Sequence, residues 1–218
     1  MKLIGMFDSM FVRRVAISMQ RLGMPYEHLD WSVGADLARI RSYSPLGRVP
    51  ALVLDDGSVL IESAAILDYL DDLVGPARAL IPSTGLARRC VLQIIAEAIG
   101  AAEKGREIIY DEIWRPQEKR YEPWVARCRS QMHGALGEVE KVAALRGPQR
   151  WLVGDQITQA DISVACIVTF LEEAVGFGSD SAPHAGSAAY PALQNLVARC
   201  EALPEFVATR RPWHRPSA

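Results

Sequence analysis

The stretch of residues 44–69, SPLGRVPALVLDDGSVLIESAAILDY, constrains the fold more than any other part of this chain. Val49-Pro50 directly precedes a short apolar run. Because proline lacks the N–H needed inside a sheet, it belongs at the start of a strand, on an edge or in a bulge. Asp56-Gly57 separates two apolar runs and predicts a tight hairpin. Glu62-Ser63 then begins a helical pattern, whose first turn has free backbone N–H groups that could hold a carboxylate.

This order of features resembles the glutathione-binding half of the glutathione transferase superfamily. Arg48-Val49-Pro50 and Glu62-Ser63 carry the resemblance, with twelve positions from Pro50 to Glu62. In that family the proline is cis, the backbone before it pairs with the cysteinyl part of glutathione, and the Glu-Ser pair holds the γ-glutamyl end. Each motif also has an ordinary alternative, since Pro50 could simply begin a strand and Glu62 could simply complement the helix dipole.

Hydrophobic periodicity divides the chain into an α/β part and a helical part. A strand at 2–6, a helix at about 11–22 and a strand at 25–31 precede the hairpin. Such a strand–helix–strand unit requires a right-handed crossover and therefore a parallel pair. Beyond the breaker-rich residues 76–83 no strand is predicted, and helices are expected at about 84–114, 123–145, 159–175 and 191–202.

The fold class is therefore α/β plus all-α. The resemblance implies a thioredoxin-like glutathione-binding domain at residues 1–75, a linker at 76–83 and an all-helical substrate-binding domain at 84–218. The segment 154–161 resembles the motif that begins the core helix of this family. There Thr158 and Asp161 have capping-box spacing, with Asp in place of the usual Glu or Gln. The next residues are apolar nearly all round, which predicts a helix at the centre of a bundle.

Composition excludes several classes of function. Half of the 218 residues are hydrophobic and the net charge is −2, so we predict a folded protein without the basic surface of a nucleic-acid-binding protein. No apolar run is long enough to span a membrane, and the N-terminus is predicted to be a strand, so a cytoplasmic protein is expected. The four cysteines are widely spaced, with no C-x-x-C, and predict neither a metal site nor disulfides.

Ser9 is the candidate catalytic residue. Attack by a thiol requires the thiolate, and a free thiol with a pKa near 8.5 is mostly protonated at neutral pH. Ser9 lies between the first strand and the first helix, where a hydroxyl and a helix N-terminus could both stabilise a sulfur anion. Residues 9–15 resemble the Ser-containing classes of the family, although Met10 replaces a proline that often follows the serine. The alternative is that Ser9 only caps the helix.

The resemblance also implies a set of glutathione-binding residues: Phe11, Arg48, Val49, Pro50, Glu62 and Ser63. Arg48 occupies a position near the glycyl carboxylate in the family. Tyr110, Ile113 and Trp114, at the end of a long helix, could line a pocket for an electrophile, although aromatic residues at helical spacing are more often part of a core. Arg13 and Arg14 lie in the first turns of a helix, against its dipole, so we expect one of them to have a carboxylate partner.

These features predict a glutathione transferase that activates the thiol of glutathione for attack on a small hydrophobic electrophile. Glutathione is then a co-substrate, no metal is required, and the resemblance implies a homodimer. Two alternatives remain. A related glutathione-dependent isomerase, dehalogenase or peroxidase would use the same glutathione site, and a non-catalytic scaffold would keep the fold alone. The tail 212–216 has no interpretation from sequence.

Overall fold

The computed structural model describes residues 1–177 and 190–215, which form a small four-stranded sheet followed by a bundle of helices. The strands are β1 (Lys2–Ile4), β2 (Glu27–Leu29), β3 (Ala51–Val53) and β4 (Val59–Ile61). The helices are α1 (Met10–Arg21), α2 (Leu37–Arg41), α3 (Ser63–Val74), α4 (Gly85–Trp114), α5 (Glu122–Arg146), α6 (Gln159–Ala174), α7 (Pro191–Glu201) and α8 (Pro204–Ala208). A short 3-10 helix, Gln117–Lys119, joins α4 to α5 and was not predicted.

The sheet has strand order β2-β1-β3-β4 and the mixed topology of a thioredoxin-like fold. β1 and β2 run parallel, which confirms the prediction from the crossover, while β3 is antiparallel to both β1 and β4. Gly57, with φ +84°, lies in the turn between β3 and β4, as the Asp-Gly pair predicted. The predicted first two strands were too long, because only three residues of each have a partner strand alongside.

Successive side chains of β1 point to opposite faces of the sheet, and both faces are buried. Leu3 packs into the main core with α1 and α3, whereas its neighbour Ile4 packs with Ile40 of α2 and Ala51 of β3. All four side chains are almost completely buried. Because successive side chains of a strand point to opposite faces, three residues are enough to join both layers of the sandwich. Ser9 follows at the end of this strand, on the connection to α1.

The helical part is organised around α6, as its composition predicted. Twelve of its residues are buried, in a helix of sixteen. Its first turn has the predicted capping box, with the Asp161 carboxylate accepting from the backbone N–H of Thr158 at 2.8 Å. The hydroxyl of Thr158 accepts from the backbone N–H of Asp161, which completes the box, and also from the N–H of Ala160 at 3.3 Å. α1 packs against α6, so the two parts of the chain share one core cluster.

The domain boundaries are not marked by a break in the fold, because the two parts share one core cluster. The division of the chain into residues 1–75, 76–83 and 84–218 remains a prediction. The composition of residues 176–189, rich in Gly, Ser, Pro and Ala, predicts a loop, which beyond residue 177 lies outside the described residues. Within the described ranges, none of the helices has the length and the apolar composition that a membrane crossing requires.

Candidate functional site

Ser9 lies at the N-terminus of α1 but does not cap it. Its backbone is extended, with φ −75° and ψ 117°, and its side chain accepts no N–H of the helix. Its carbonyl oxygen accepts the first intrahelical bond, from Arg13 N at 2.9 Å. In the part of the chain that the structure describes, the Ser9 hydroxyl has no protein partner and is half-buried. The capping alternative is therefore wrong, and the hydroxyl is available to a ligand.

The Val49–Pro50 peptide bond is cis, which confirms the prediction made from the resemblance. Val49 is half-buried and lies directly before β3, the strand that pairs with β1. Its side chain packs close to Gly5, where an added Cβ would lie 2.8 Å from the Cβ of Val49. Gly5, with φ +127°, thus lets the end of β1 and the segment before Pro50 approach each other. This close approach brings Gly5, the start of the connection that leads to Ser9, beside Val49.

Glu62 has an unusual backbone. Its φ is +67° and its ψ is 120°, and it is the one residue other than glycine with positive φ among residues 1–177 and 190–215. A bulky side chain in such a region costs about 1–3 kcal/mol, and strain of this kind concentrates at functional sites. The conformation turns the chain sharply from β4 into α3. It places Ser63 at the first position of α3, beside the free N–H groups of that helix.

Ser63 is buried and hydrogen-bonded to a buried arginine. The Oγ of Ser63 accepts from Arg14 Nη2 at 2.7 Å and from Arg14 Nε at 3.2 Å. Arg14 Nη1 donates to Ser163 Oγ of α6 at 3.2 Å, so the guanidinium joins α3 to the core helix. Burial lowers the pKa of Arg14 to about 10, and the group remains a cation at neutral pH. Ser63 is thus part of a buried polar network that sequence reasoning did not find.

Arg13 has the carboxylate partner that was expected for one of the two arginines. Its guanidinium donates to both Glu201 oxygens, at 2.7 and 2.6 Å, and to the carbonyl oxygen of Phe206 at 3.0 Å. Burial lowers the pKa of Arg13, but its hydrogen bond to Glu201 and the nearby negative charges outweigh burial, and the pKa is raised. This buried bidentate pair connects α1 to α7 and has a structural role.

Arg48 lies at the surface near Glu62, with Nη1 3.5 Å from a Glu62 oxygen. Both side chains are about half exposed, so this ion pair contributes little stability and both groups can contact a ligand. Phe11, in the first turn of α1, is half-buried against the main core. Arg48, Val49, Glu62 and Ser63 therefore border one region at the edge of the sheet. Ser9 lies five residues after β1, the strand next to β3, at the N-terminus of α1.

Of the electrophile-pocket candidates, Tyr110 and Trp114 are exposed, whereas Ile113 is half-buried. The aromatic rings are therefore not core residues. The structure records no contact between these three side chains and Ser9. A surface cavity of about 750 Å³ lies elsewhere, between Leu22, Tyr26, Asp55 and Arg78, and none of the predicted site residues lines it.

The tail after α8, residues 210–215, contacts both parts of the chain, which the sequence did not predict. Arg211 pairs with Asp30 at 2.6 Å, next to β2. Trp213 donates its backbone N–H to Glu173 at 2.8 Å and packs edge-on against Phe170 of α6. Arg215 lies 3.8 Å from Glu112, near the end of α4. The tail therefore extends from the sheet to the helix end that carries Tyr110, Ile113 and Trp114.

Asp8, which precedes Ser9, lies against this tail. Burial raises the pKa of the Asp8 carboxyl, and Asp30 raises it further, while Arg211 and the backbone N–H groups of His214 and Ser9 lower it. Burial has the larger effect, and the pKa is raised. Because the backbone of His214 hydrogen-bonds to the Asp8 carboxylate, the tail runs beside the connection that carries Ser9.

No group of His, Cys, Asp and Glu side chains with metal-binding geometry occurs in residues 1–177 and 190–215. Cys128, Cys166 and Cys200 are buried, and Cys90 is half-buried. Burial raises the pKa of the Cys166 thiol to about 12 despite the nearby Arg13 and Arg14. None of the four cysteines lies in the α/β part, so a thiol for chemistry at Ser9 must come from a bound molecule.

A thioredoxin-like sheet with a cis-proline, followed by a helical bundle, defines a class of fold, and comparison with known proteins identifies the family. The sequence profile of the glutathione S-transferase N-terminal domain matches residues 3–78, and that of the C-terminal domain matches residues 122–199. Maleylacetoacetate isomerase of Pseudomonas aeruginosa is 31% identical over 170 residues, which cover 74% of this chain and 77% of that protein. The GST-like protein YibF of Escherichia coli is 29% identical over 172 residues, or 78% of this chain and 82% of YibF.

Solved structures agree. A glutathione S-transferase of Methylobacterium radiotolerans, in complex with glutathione sulfonate, superposes with a TM-score of 0.86 at 26% identity, covering 100% of this chain and 97% of that one. A glutathione transferase family member of Pseudomonas fluorescens, with bound glutathione, has a TM-score of 0.80 at 30% identity, covering 97% and 99%. The chain therefore belongs to the glutathione S-transferase family. It is a transferase whose co-substrate is glutathione.

Proposed function

We propose that this transferase binds glutathione along the edge formed by Val49, Glu62 and Ser63, and that Ser9 activates its thiol. The observation that carries the proposal is the Ser9 hydroxyl, which lies at a helix N-terminus without capping it. A hydroxyl that donates to sulfur favours the thiolate over the thiol, and the helix dipole acts in the same direction. The thiolate then attacks a small hydrophobic electrophile.

The other residues of the proposed site would each bind a different part of glutathione. Ser63 and the N-terminus of α3 would hold the γ-glutamyl carboxylate, and Glu62 would pair with its amino group. The backbone of Val49 would pair with the cysteinyl part, which brings the sulfur toward Ser9. Arg48 is exposed at the end of this edge and would meet the glycyl carboxylate. Phe11, in the first turn of α1, would contact the bound tripeptide.

The electrophile would enter between the tail and the end of α4. Trp213, Tyr110, Ile113 and Trp114 would contact a hydrophobic molecule bound there. Trp213 is positioned by its contacts with Glu173 and Phe170, whereas the exposed pairs Arg211–Asp30 and Arg215–Glu112 contribute little stability. The bound electrophile would have to reach the glutathione sulfur at Ser9.

Substitution of Ser9 and Ser63 tests the proposal, because the two hydroxyls have different roles. Ser9→Ala removes the donor to sulfur, so turnover should fall about 10- to 150-fold, corresponding to a hydrogen bond to a charged group of about 1.5–3 kcal/mol. Its affinity for glutathione should change little. Ser63→Ala should weaken glutathione binding, with a smaller effect on turnover at saturation. For both variants, calorimetry measures the affinity for glutathione and steady-state kinetics measure turnover.

The absorbance of the bound thiolate, titrated against pH, provides a direct check. The pKa of bound glutathione should lie below that of the free thiol in the unmodified protein and should rise in Ser9→Ala. Full turnover together with an unchanged thiol pKa in Ser9→Ala would assign activation to the backbone N–H groups of Met10 and Phe11 instead. If the protein binds no glutathione, a non-catalytic scaffold is the better description.

Glutathione-dependent isomerisation is a second candidate, favoured by the 31% identity to a protein named maleylacetoacetate isomerase. In such a reaction the thiolate adds to a cis double bond, the bond between the former alkene carbons rotates, and elimination releases the trans product with glutathione regenerated. Thiol consumption separates the two candidates. Conjugation consumes one thiol for each product molecule, whereas isomerisation forms product with no loss of thiol.

A further inference from the structure

Arg14 is a buried cation that no carboxylate neutralises. Only 1% of the surface of Arg14 is exposed. Within residues 1–177 and 190–215 it forms no ion pair, and its three hydrogen bonds are made to the hydroxyls of Ser63 and Ser163. Glu62 is a more distant carboxylate that favours the charged form of Arg14, but it is half exposed and lies beside Arg48. A buried charge with only neutral partners is costly. A ligand carboxylate beside Ser63 would offset part of this cost.

The neighbouring Arg13 shows that this arrangement is specific to Arg14. Arg13 lies on the same helix and is also buried, yet its charge is matched by both oxygens of Glu201. The fold can therefore supply a carboxylate to a buried arginine of α1. At Arg14 it supplies two serines instead, and one of them, Ser63, begins α3 at the proposed γ-glutamyl site.

The hydrogen-bond directions orient the hydroxyl of Ser63. Nε and Nη2 of Arg14 both donate to Ser63 Oγ, so the oxygen accepts hydrogen bonds from the protein. The hydroxyl hydrogen of Ser63 is therefore free to be donated to another group. No acceptor for that hydrogen is found among the residues that the structure describes. The hydroxyl is thus prepared as a donor to an anion at the N-terminus of α3, with a positive charge directly behind it.

We propose that Arg14 is the positioning residue that gives the γ-glutamyl site its affinity for the α-carboxylate of glutathione. It acts through Ser63: the guanidinium fixes the serine as a donor and supplies the positive charge that the buried carboxylate needs. This inference rests on the proposed function and names which part of glutathione is recognised. The network continues from Ser163 to Gln159 and Ser18, which holds the guanidinium in place from behind.

A glutathione analogue without the α-carboxylate tests the proposal. In 4-aminobutyryl-cysteinylglycine a hydrogen replaces that carboxylate, and the rest of the molecule is unchanged. The unmodified protein should bind glutathione at least about tenfold more tightly than the analogue, because a charge-assisted bond is lost. Arg14→Met should weaken glutathione binding on the order of 10- to 100-fold while the affinity for the analogue changes less than about threefold. The preference for glutathione should therefore disappear.

Two conservative variants separate recognition from folding. Arg14→Lys keeps the charge but cannot make both bonds to Ser63, so it should retain part of the preference. Arg13→Lys is the matched control on the same helix and should keep the full preference, since Arg13 faces Glu201. A purely structural Arg14 would affect the affinities for glutathione and for the analogue equally.

Calorimetry on each variant, with thermal melting to verify folding, decides the question. An unaltered preference in Arg14→Met, or in Arg14→Lys if the first variant does not fold, overturns the inference and leaves the proposed function standing. Equal affinity of the unmodified protein for glutathione and the analogue also overturns it. If the unmodified protein binds neither molecule, the proposed function fails with it.

Discussion

At the residue scale, the surroundings of a side chain decide its role more than its chemical type does. Arg13 and Arg14 are adjacent and both buried, yet Arg13 forms an ion pair with Glu201 and Arg14 contacts only hydroxyls. Ser9 lies at the N-cap position of α1, where serine is common, but leaves the helix N–H groups free. The same distinction separates the cysteines, three of which are enclosed by the core.

We predict that only Cys90 reacts readily with a thiol reagent in the folded protein. Burial raises the pKa values of Cys128, Cys166 and Cys200, to about 12 for Cys166, so at pH 8 these three residues remain thiols and not thiolates. Iodoacetamide at pH 8 should therefore modify one thiol in the native protein and four in denaturant, as counted by intact mass. Cys90→Ser should abolish the native reaction. Rapid modification of a second site would contradict the prediction.

At the element scale, local sequence is sufficient for the helices but not for the chain that follows them. The capping box of α6 forms between residues three positions apart, and Asp161 also accepts the backbone N–H of Leu152 at 2.8 Å. The tail 210–215 has no periodicity, and its conformation depends on partners far away in sequence. Asp30 and Glu112 are the most distant of them.

We predict that the tail contributes to electrophile binding but not to glutathione binding. A chain that ends at Arg210 loses Trp213 and the pairs to Asp30 and Glu112. Its KM for a hydrophobic electrophile should rise on the order of tenfold, because a partly buried apolar side chain is removed from that side of the space. The Kd for glutathione should stay within about threefold. A chain that ends at Arg215 keeps these contacts and is the control. Equal KM values for all three chains would exclude the tail from the site.

At the scale of the whole molecule, one core joins the sheet to the helical part. α1 packs against both α3 and α6, and the polar chain from Ser63 through Arg14 to Ser163 crosses the same boundary. The site and the domain contact are thus built from the same helix. Outside this core, Leu73, Leu86 and Leu92, near the end of α3 and the start of α4, remain exposed.

We predict a homodimer in which these leucines meet the second copy. Exposed leucines grouped in one part of a chain are expected at interaction surfaces, and the family resemblance implies a dimer. Sedimentation velocity at micromolar concentration should give twice the chain mass of 24.0 kDa. Leu92→Glu should shift the equilibrium toward monomer, whereas Leu145→Glu, at the far end of α5 and 88% exposed, should not. A monomer mass for the unmodified protein would overturn the prediction.

Local chemistry made several features predictable from the sequence alone. The hairpin follows from Asp56-Gly57, the α6 cap from Thr158 and Asp161, and the buried α6 from its continuous apolar composition. The parallel pairing of β1 and β2 follows from chain connectivity. The cis bond before Pro50 and the candidate site residues came from the ordered motifs and their resemblance to a family. Each of these depends on residues that are neighbours along the chain or on a fixed order of motifs.

The tertiary structure alone decided which distant groups meet. Nothing near Arg13 or Arg14 in the sequence indicates that the first meets Glu201 and the second meets Ser63 and Ser163, 49 and 149 positions away. Whether Ser9 caps its helix, and where the tail lies, likewise depend on packing. The physical reason is that hydrogen bonds and ion pairs act over a few ångströms in space. Sequence patterns record only what is periodic or adjacent along the chain.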